Sequence, residues 1–420
     1  AEFSHDGEGT VIEPVANIQD MRAFGQVFGD IDASGTYSNK RFEFTGNSVN
    51  GPAAAAFNGT YTTGDSTAVD SHVEFSAIDA ASLVEASLDN LPDDVMTGEI
   101  KGTLDISGDP SDPKKIRTGG NVHSANGIIK YPTPKLEGGG SGWAPLAYKT
   151  LDLAFSHTAP KLRISKMTLD ASPLAARGNG VFTYSESREG AAGGPLDFVF
   201  DASIDCSAVE EILADNPHLD DFISGRLAAS GKLSGTTSSS ATLSGNAEFS
   251  LEDGSIANPY MDKASKLPMN SSLSHYEFSS ISGRADIAEE KVSVKSLALR
   301  SAPLDADIRG TVRFDGQLAG RADTSVDPSV ISSIPELKMA VPNMEKVEKF
   351  GRLDTSFDLD GTIYNPGIHW DSDALLKSIA EKQVRKHSDK AVDKIKKKIE
   401  EKTGLEIEED TMKKLKDKAK

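Results

Sequence analysis

The chain has 420 residues, of which 37% are hydrophobic, with 37 glycines, 19 prolines and a formal net charge of −19. Such acidity excludes electrostatic attraction to nucleic acid and opposes contact of the chain as a whole with anionic membranes. A single cysteine, Cys206, excludes an intramolecular disulfide and a cysteine-based zinc site. No apolar run reaches the roughly 18 residues that a membrane-spanning helix needs.

In chain order, Ala1 to Asp6 lacks the basic and apolar regions of a signal peptide, and the chain is expected to be a piece of a longer protein. Residues 1–130 set a pattern. Lys40-Arg-Phe-Glu-Phe44 reads as a strand, Pro52 as a bend, and Asn58-Gly-Thr-Tyr61 as a glycine-led strand. Ser76-Ala-Ile-Asp79 leads into a helix-like stretch over 81–91, and Gly98-Glu-Ile-Lys-Gly-Thr-Leu-Asp-Ile-Ser-Gly108 adds a further strand. Asp30-Ile-Asp32-Ala-Ser34-Gly35 matches the start of a calcium loop, but its twelfth position is Arg41 instead of a bidentate Glu. A turn after Ile31 is expected there.

Residues 131–258 repeat the order. Lys161-Leu-Arg-Ile164 precedes Ser172-Pro173-Leu174, then come Arg177-Gly-Asn-Gly180, Ala202-Ser-Ile-Asp205, a helix over 207–213, and the segment Gly225 to Gly235. Phe198, Phe200, Ala202 and Ile204 share one face at period two, as do Leu227, Ala229, Gly231 and Leu233, and Ala247, Phe249 and Leu251. Asp253-Gly254 predicts a hairpin turn before Ile256. Cys206 reads as a small buried hydrophobe. Gly138-Gly-Gly-Ser-Gly142 lacks the spacing of a nucleophile elbow and reads as a flexible loop.

Residues 259–371 give the third copy: Lys291-Val-Ser-Val294, Ala302-Pro303-Leu304, Arg309-Gly-Thr-Val312, Ser325-Val-Asp327, a helix over 328–334, and Gly351 to Gly361. The glycine-bounded segments start at Gly98, Gly225 and Gly351, 127 and 126 residues apart. Asp79, Asp205 and Asp327 are each expected to cap the helix that follows. Phe357, Leu359, Gly361 and Ile363 alternate on one face. The apolar phase slips by one residue between Ile164 and Met167 and again between Val294 and Leu297, which predicts bulges. Over 372–420 the character changes. Ala374, Leu375, Ile379, Val384, Ala391, Ile395 and Ile399 fall near helical spacing among Lys and Glu, and Gly404 is a stop signal.

The expected fold is mainly β: an elongated, curved antiparallel sheet forming an open groove. It is built from three tandem repeats of about 126 residues, with short helices and a charged C-terminal helix. Its apolar face is assigned to Phe198, Phe200, Ile204, Leu227, Leu233, Phe249, Leu251, Ile256, Phe357, Leu359 and Ile363. The eight histidines show no i,i+4 metal pair, His369 beside Trp370 reads as a strand-end residue, and Asn58 and Asn270 begin short glycosylation sequons. No catalytic motif, cofactor site or metal site is legible, so the chain reads as non-enzymatic.

Leu243-Ser-Gly-Asn-Ala-Glu-Phe-Ser-Leu-Glu-Asp-Gly-Ser-Ile256 resembles an AsmA-like signature, a strand with a Gly-containing turn and an apolar residue beyond it. Leu359-Asp-Gly-Thr-Ile-Tyr-Asn-Pro366, followed by a Lys/Glu-rich helix, looks like the end of that family. The resemblance covers residues 225 to 410 best. It implies a periplasmic protein of a diderm cell envelope, anchored through a segment missing from this chain, with an apolar β-groove that binds or conducts phospholipid acyl chains. A membrane or an envelope protein is the expected partner of the C-terminal helix, where Lys394, Lys396, Lys397 and Lys398 cluster. The alternative is a structural or assembly-related β-repeat protein without a lipid ligand.

Overall fold

The computed structural model describes residues 2–5, 10–23, 25–64, 67–87, 95–132, 143–184, 196–214, 223–257, 275–333, 351–362 and 365–403. The molecule is mainly β, and its strands form one open antiparallel sheet with few short helices among the described residues. In chain order the strands are β1 (Glu2–His5), β2 (Thr10–Glu13), β3 (Val15–Ala23), β4 (Gln26–Ser38), β5 (Arg41–Asn50), β6 (Ala54–Thr62), β7 (Ala68–Asp79), β8 (Met96–Gly108), β9 (Arg117–Pro132), β10 (Trp143–Thr158), β11 (Lys161–Ala171), β12 (Leu174–Tyr184), β13 (Leu196–Cys206), β14 (Arg226–Thr236), β15 (Ser239–Ala257), β16 (His275–Ala288), β17 (Lys291–Arg300), β18 (Leu304–Arg313), β19 (Leu318–Val326), β20 (Leu353–Thr362) and β21 (Asn365–Trp370). The helices are α1 (Ala80–Ser87), α2 (Val209–Leu213), α3 (Pro328–Ser333) and α4 (Ser372–Thr403). Two compact units result, Ala1–Glu252 with Arg284–Lys291, and Asp253–Gly283 with Val292–Lys420.

In the first unit, β4 to β15 each pair antiparallel with the next strand. Alternation of apolar and polar residues dictates this, because a strand with one greasy face pairs only in registers that keep the face continuous. Strand direction therefore alternates, and β7 and β13 run the same way. Helices α1 and α2, which follow them, lie at one margin of the sheet. The strand ends Ser38, Thr62, Gly108, Thr158, Tyr184 and Thr236 lie at the other.

The bends expected at Pro52, Pro173 and Pro303 are turns between β5 and β6, β11 and β12, and β17 and β18. In two of them the proline carbonyl accepts a bond from the residue just past the following strand: Ser207 N–H, after β13, donates to Pro173 O at 3.1 Å, and Asp327 N–H, after β19, to Pro303 O at 2.8 Å. The bulge expected after Ile164 is present, since the register with β12 jumps from Ile164 to Met167. Ser165 and Lys166 are exposed in succession there, and Lys295 and Ser296 repeat that pattern in β17.

Three expectations are corrected. No turn follows Ile31: β4 runs through Asp30 and Asp32, whose carboxylates take the Asp20 N–H at 3.3 Å and the Asn17 amide at 2.6 Å. No hairpin forms at Asp253-Gly254. β15 continues to Ala257, with Asp253 at φ 50°, a left-handed conformation that Asp tolerates better than most residues. Asp79 and Asp327 cap their helices, holding Ser82 N at 2.9 Å and Ser329 N at 2.9 Å, but Asp205 does not. β13 runs on through Cys206, α2 starts only at Val209, and Ala208 occupies the N-cap without a side-chain bond. The early apolar positions of α4, for their part, pack within the chain. Leu375 and Ile379 join Val326, Val330, Ile331 and Leu353 in the hydrophobic core of the second unit. Farther along, Val384 is 68% exposed. The first turns of α4 are thus core, and Asp371 caps them by accepting the Ala374 N–H at 2.9 Å.

The second unit pairs β18, β19, β20 and β21 in order, all antiparallel. Arg352 ties the turn before β18 to the start of β20, donating to Asp305 and to the Ser301 and Ala302 carbonyls, while Lys382 of α4 donates to the Arg352 carbonyl.

Candidate functional site

Register decides which side chains share a face, because directly opposed residues in antiparallel strands point the same way. From Phe200 the row runs to Gly180 on β12 and Leu233 on β14, and Leu233 opposes Gly245 on β15. From Cys206 it runs through Leu227 to Leu251, and from Ile204 through Ala229 to Phe249. Phe198 opposes Phe182, their ring centroids 6.3 Å apart. Seven of the expected face residues, Phe198, Phe200, Ile204, Leu227, Leu233, Phe249 and Leu251, therefore lie on one face of the first unit.

The same face continues toward β4 through residues that the repeat pattern did not single out. Leu162, Ile164, Met167 and Leu169 of β11 oppose His157, Phe155, Leu153 and Leu151 of β10. Farther on come Val122, Leu104, Val73, Phe57, Phe44 and Ala33. One physical device recurs on it, a phenyl ring laid over a cross-strand glycine. A Cβ built on Gly46 would sit 2.4 Å from Phe57 Cζ, on Gly59 2.7 Å from Phe44 Cζ, on Gly102 2.9 Å from Phe75 Cζ, and on Gly178 2.8 Å from Phe200 Cζ. Glycine is required at these points to admit the ring, which in turn shields the bare backbone. Phe44 and Gly46 of β5, opposite Gly59 and Phe57 of β6, were the sequence signal for this face. It went unused because the glycines were read only as strand leaders.

Burial is uneven across the face. At the margin carrying α1 it is dry. Ala53, Ile78, Ala80 and Ile100 form a buried cluster, and Cys206 and Leu251 are each 4% exposed. Burial also pushes the Cys206 thiol pKa up, consistent with an inert small hydrophobe. Away from that margin the side chains are half-buried, and Phe249 is 36% exposed.

The opposite face is polar. His72 bonds Asp105 at 2.6 Å, and the carboxylate beside it raises the imidazole pKa. His123 bonds Asp152 at 2.7 Å, and Arg284 pairs with Glu248 at 3.1 Å. Glu74, Lys101, Asn121 and Lys166 line an open depression together with Phe75, Gly102 and Val122. No group of three His, Cys, Asp or Glu side chains able to hold a metal occurs among the described residues.

In the second unit Phe357 opposes Ala322 and Trp370, with ring centroids 4.8 Å apart for the aromatic pair, and Leu359 opposes Gly320 and Ile368. These two expected residues share that unit's apolar face. Ile256 is half-buried near the end of β15, beyond the register that fixes Leu251. Ile363, the Gly138–Gly142 loop and the Asn270 sequon lie outside the described residues. Asn58 is exposed on β6, and His369 sits on β21 with its Nε2 3.1 Å from Asp360. No family model, curated protein or solved structure matches the chain.

Proposed function

We propose that this protein is a non-enzymatic carrier or conduit for lipids, whose acyl chains lie on the apolar face of the sheet. The observation that carries this reading is the continuous register of apolar side chains from β4 to β15, half-exposed over most of its breadth. A face of this kind is rarely left to water in a soluble protein and marks a site for an apolar partner. Apolar area, not a fixed cationic clamp, sets recognition, because the charged side chains sit on the other face. Resemblance to AsmA-like proteins supports a place in the envelope of a diderm bacterium, with α4 turned toward a membrane or an envelope partner.

Native mass spectrometry and lipid extraction of protein purified from cells test the reading. Phospholipid that co-purifies, and is lost when Phe200 and Phe249 are both changed to Asp, supports it. A lipid-free protein that exchanges nothing with vesicles favours the structural β-repeat alternative.

A further inference from the structure

The apolar face changes chemistry from one margin to the other. Beside α1 it is closed and dry. At the opposite margin, the last apolar-facing positions of β4, β6, β10 and β12 carry aromatic rings with polar tips. Tyr37 opposes Phe42 on β5, Phe42 opposes Tyr61 on β6, and all three share the face. On β10, His157 opposes Leu162, which opposes Phe182, so His157 is on this face too. Its Nε2 lies 2.8 Å from the Tyr184 hydroxyl, with the two rings stacked at 5.8 Å. All four side chains are half-buried. Contrast the two tyrosines near the other margin: Tyr148 donates its hydroxyl to Thr97 O at 2.8 Å, and Tyr131 donates to Ile212 O at 3.3 Å. Those hydroxyls serve the fold.

Aromatic residues with one apolar body and one polar tip suit a boundary between grease and water. Resting on the lipid reading above, we infer that bound phospholipid is oriented across the strands. Its head group lies at the margin of Tyr37, Tyr61, His157 and Tyr184, and its chain ends lie toward α1. The hydroxyls and the imidazole donate hydrogen bonds to head-group phosphate or ester oxygens, and the rings cover the first methylenes.

The test loads the full chain from vesicles of phosphatidylethanolamine carrying a photoreactive diazirine either on the head group or at an acyl terminus. Crosslinked peptides are mapped after irradiation. Head-group crosslinks concentrated on the ends of β4, β6, β10 and β12 near these residues, with chain-end crosslinks near Ile78, Ile100 and Leu227, are expected. Equal distributions, or the reverse, overturn the orientation while leaving the lipid reading intact. Crosslinks from neither probe overturn the lipid reading itself. Replacing Tyr37, Tyr61 and Tyr184 by Phe keeps the rings. It is expected to weaken phospholipid retention about two- to tenfold for each hydrogen bond lost, while leaving binding of a plain long-chain alkane unchanged. Equal losses for both ligands refute the head-group role.

Discussion

Leu375 gives the sharpest test of how the second unit is built. Its side chain is fully buried against Val326, Ile331 and Leu353, and Trp370 packs on the same cluster. Truncation to Ala removes buried carbons from a site bounded by β19, β20 and α3. Core truncations of this type cost about 2–5 kcal/mol. With a urea dependence of about 1–3 kcal/mol per molar, the unfolding midpoint should fall by on the order of 1 M or more. Trp370 fluorescence reports the transition once Trp143, the other of the two tryptophans, is replaced by Phe. Val384→Ala is the control on the same helix: at 68% exposure it should shift stability by less than about 0.5 kcal/mol. By the same logic, ending the chain after Lys386 should leave the second unit folded, whereas ending it before Ser372 should unfold it. A midpoint unchanged by Leu375→Ala, or an equal loss from Val384→Ala, would refute the assignment of the early turns of α4 to the core.

Gly178→Ala should destabilise the first unit by about 1–3 kcal/mol because the new methyl meets the Phe200 ring. In a Phe200→Leu background much of that loss should disappear, and a chemical-denaturation double-mutant cycle that shows no coupling contradicts the ring-over-glycine packing. Bonds from Ser329 hold the Asp327 carboxyl below its ordinary pKa, so its cap contributes stability above the unfolded carboxylate pKa and loses it as pH falls through the folded value. Asp327→Ala should cost about 0.5–2 kcal/mol at neutral pH and flatten the acid limb of a stability–pH curve, while Asp205→Ala, which removes no cap, should not carry that neutral-pH cost. His72 titrates the other way. Its pairing with Asp105 is present below the unfolded imidazole pKa and is lost as pH rises through the raised folded value. NMR titration should show the His72 midpoint lowered toward the ordinary range in Asp105→Asn, with Glu74 still beside the ring, and an unmoved midpoint would exclude Asp105 as the main cause.

Much of this architecture was legible in the sequence. Period-two alternation in Phe198–Ile204, Leu227–Leu233 and Ala247–Leu251 is the pattern that register aligns across β13, β14 and β15, and the phase slip at Ile164–Met167 located a bulge. What misled were signals that depend on partners far away in sequence. Asp253-Gly254 and Asp30-Ile-Asp32 carry turn chemistry, yet β3 and β5 pair with the second segment on both sides, and β15 continues through the first with Asp253 in a left-handed kink. Asp205 looks like a cap by analogy with Asp79 and Asp327, but Cys206, Ser207 and Ala208 separate it from the helix. For α4, Leu375 and Ile379 stand out at helical spacing in a charged helix, but the strands they dock on lie far away in sequence. Likewise the Phe-over-Gly pairs exist only once register sets Phe57 against Gly46.

The central claim is that one face of the sheet meets lipid and the other does not. A photoreactive amino acid placed singly at Phe200, Phe249, Lys232 or Glu248 tests it in living cells, followed by irradiation and mass spectrometry of the adducts. Phe200 and Phe249 lie on the apolar face, whereas Lys232 and Glu248 alternate with its residues along the same strands. Lipid adducts at Phe200 and Phe249, and none at Lys232 and Glu248, are the predicted result; equal capture at all four positions, or capture only on the polar face, would contradict it.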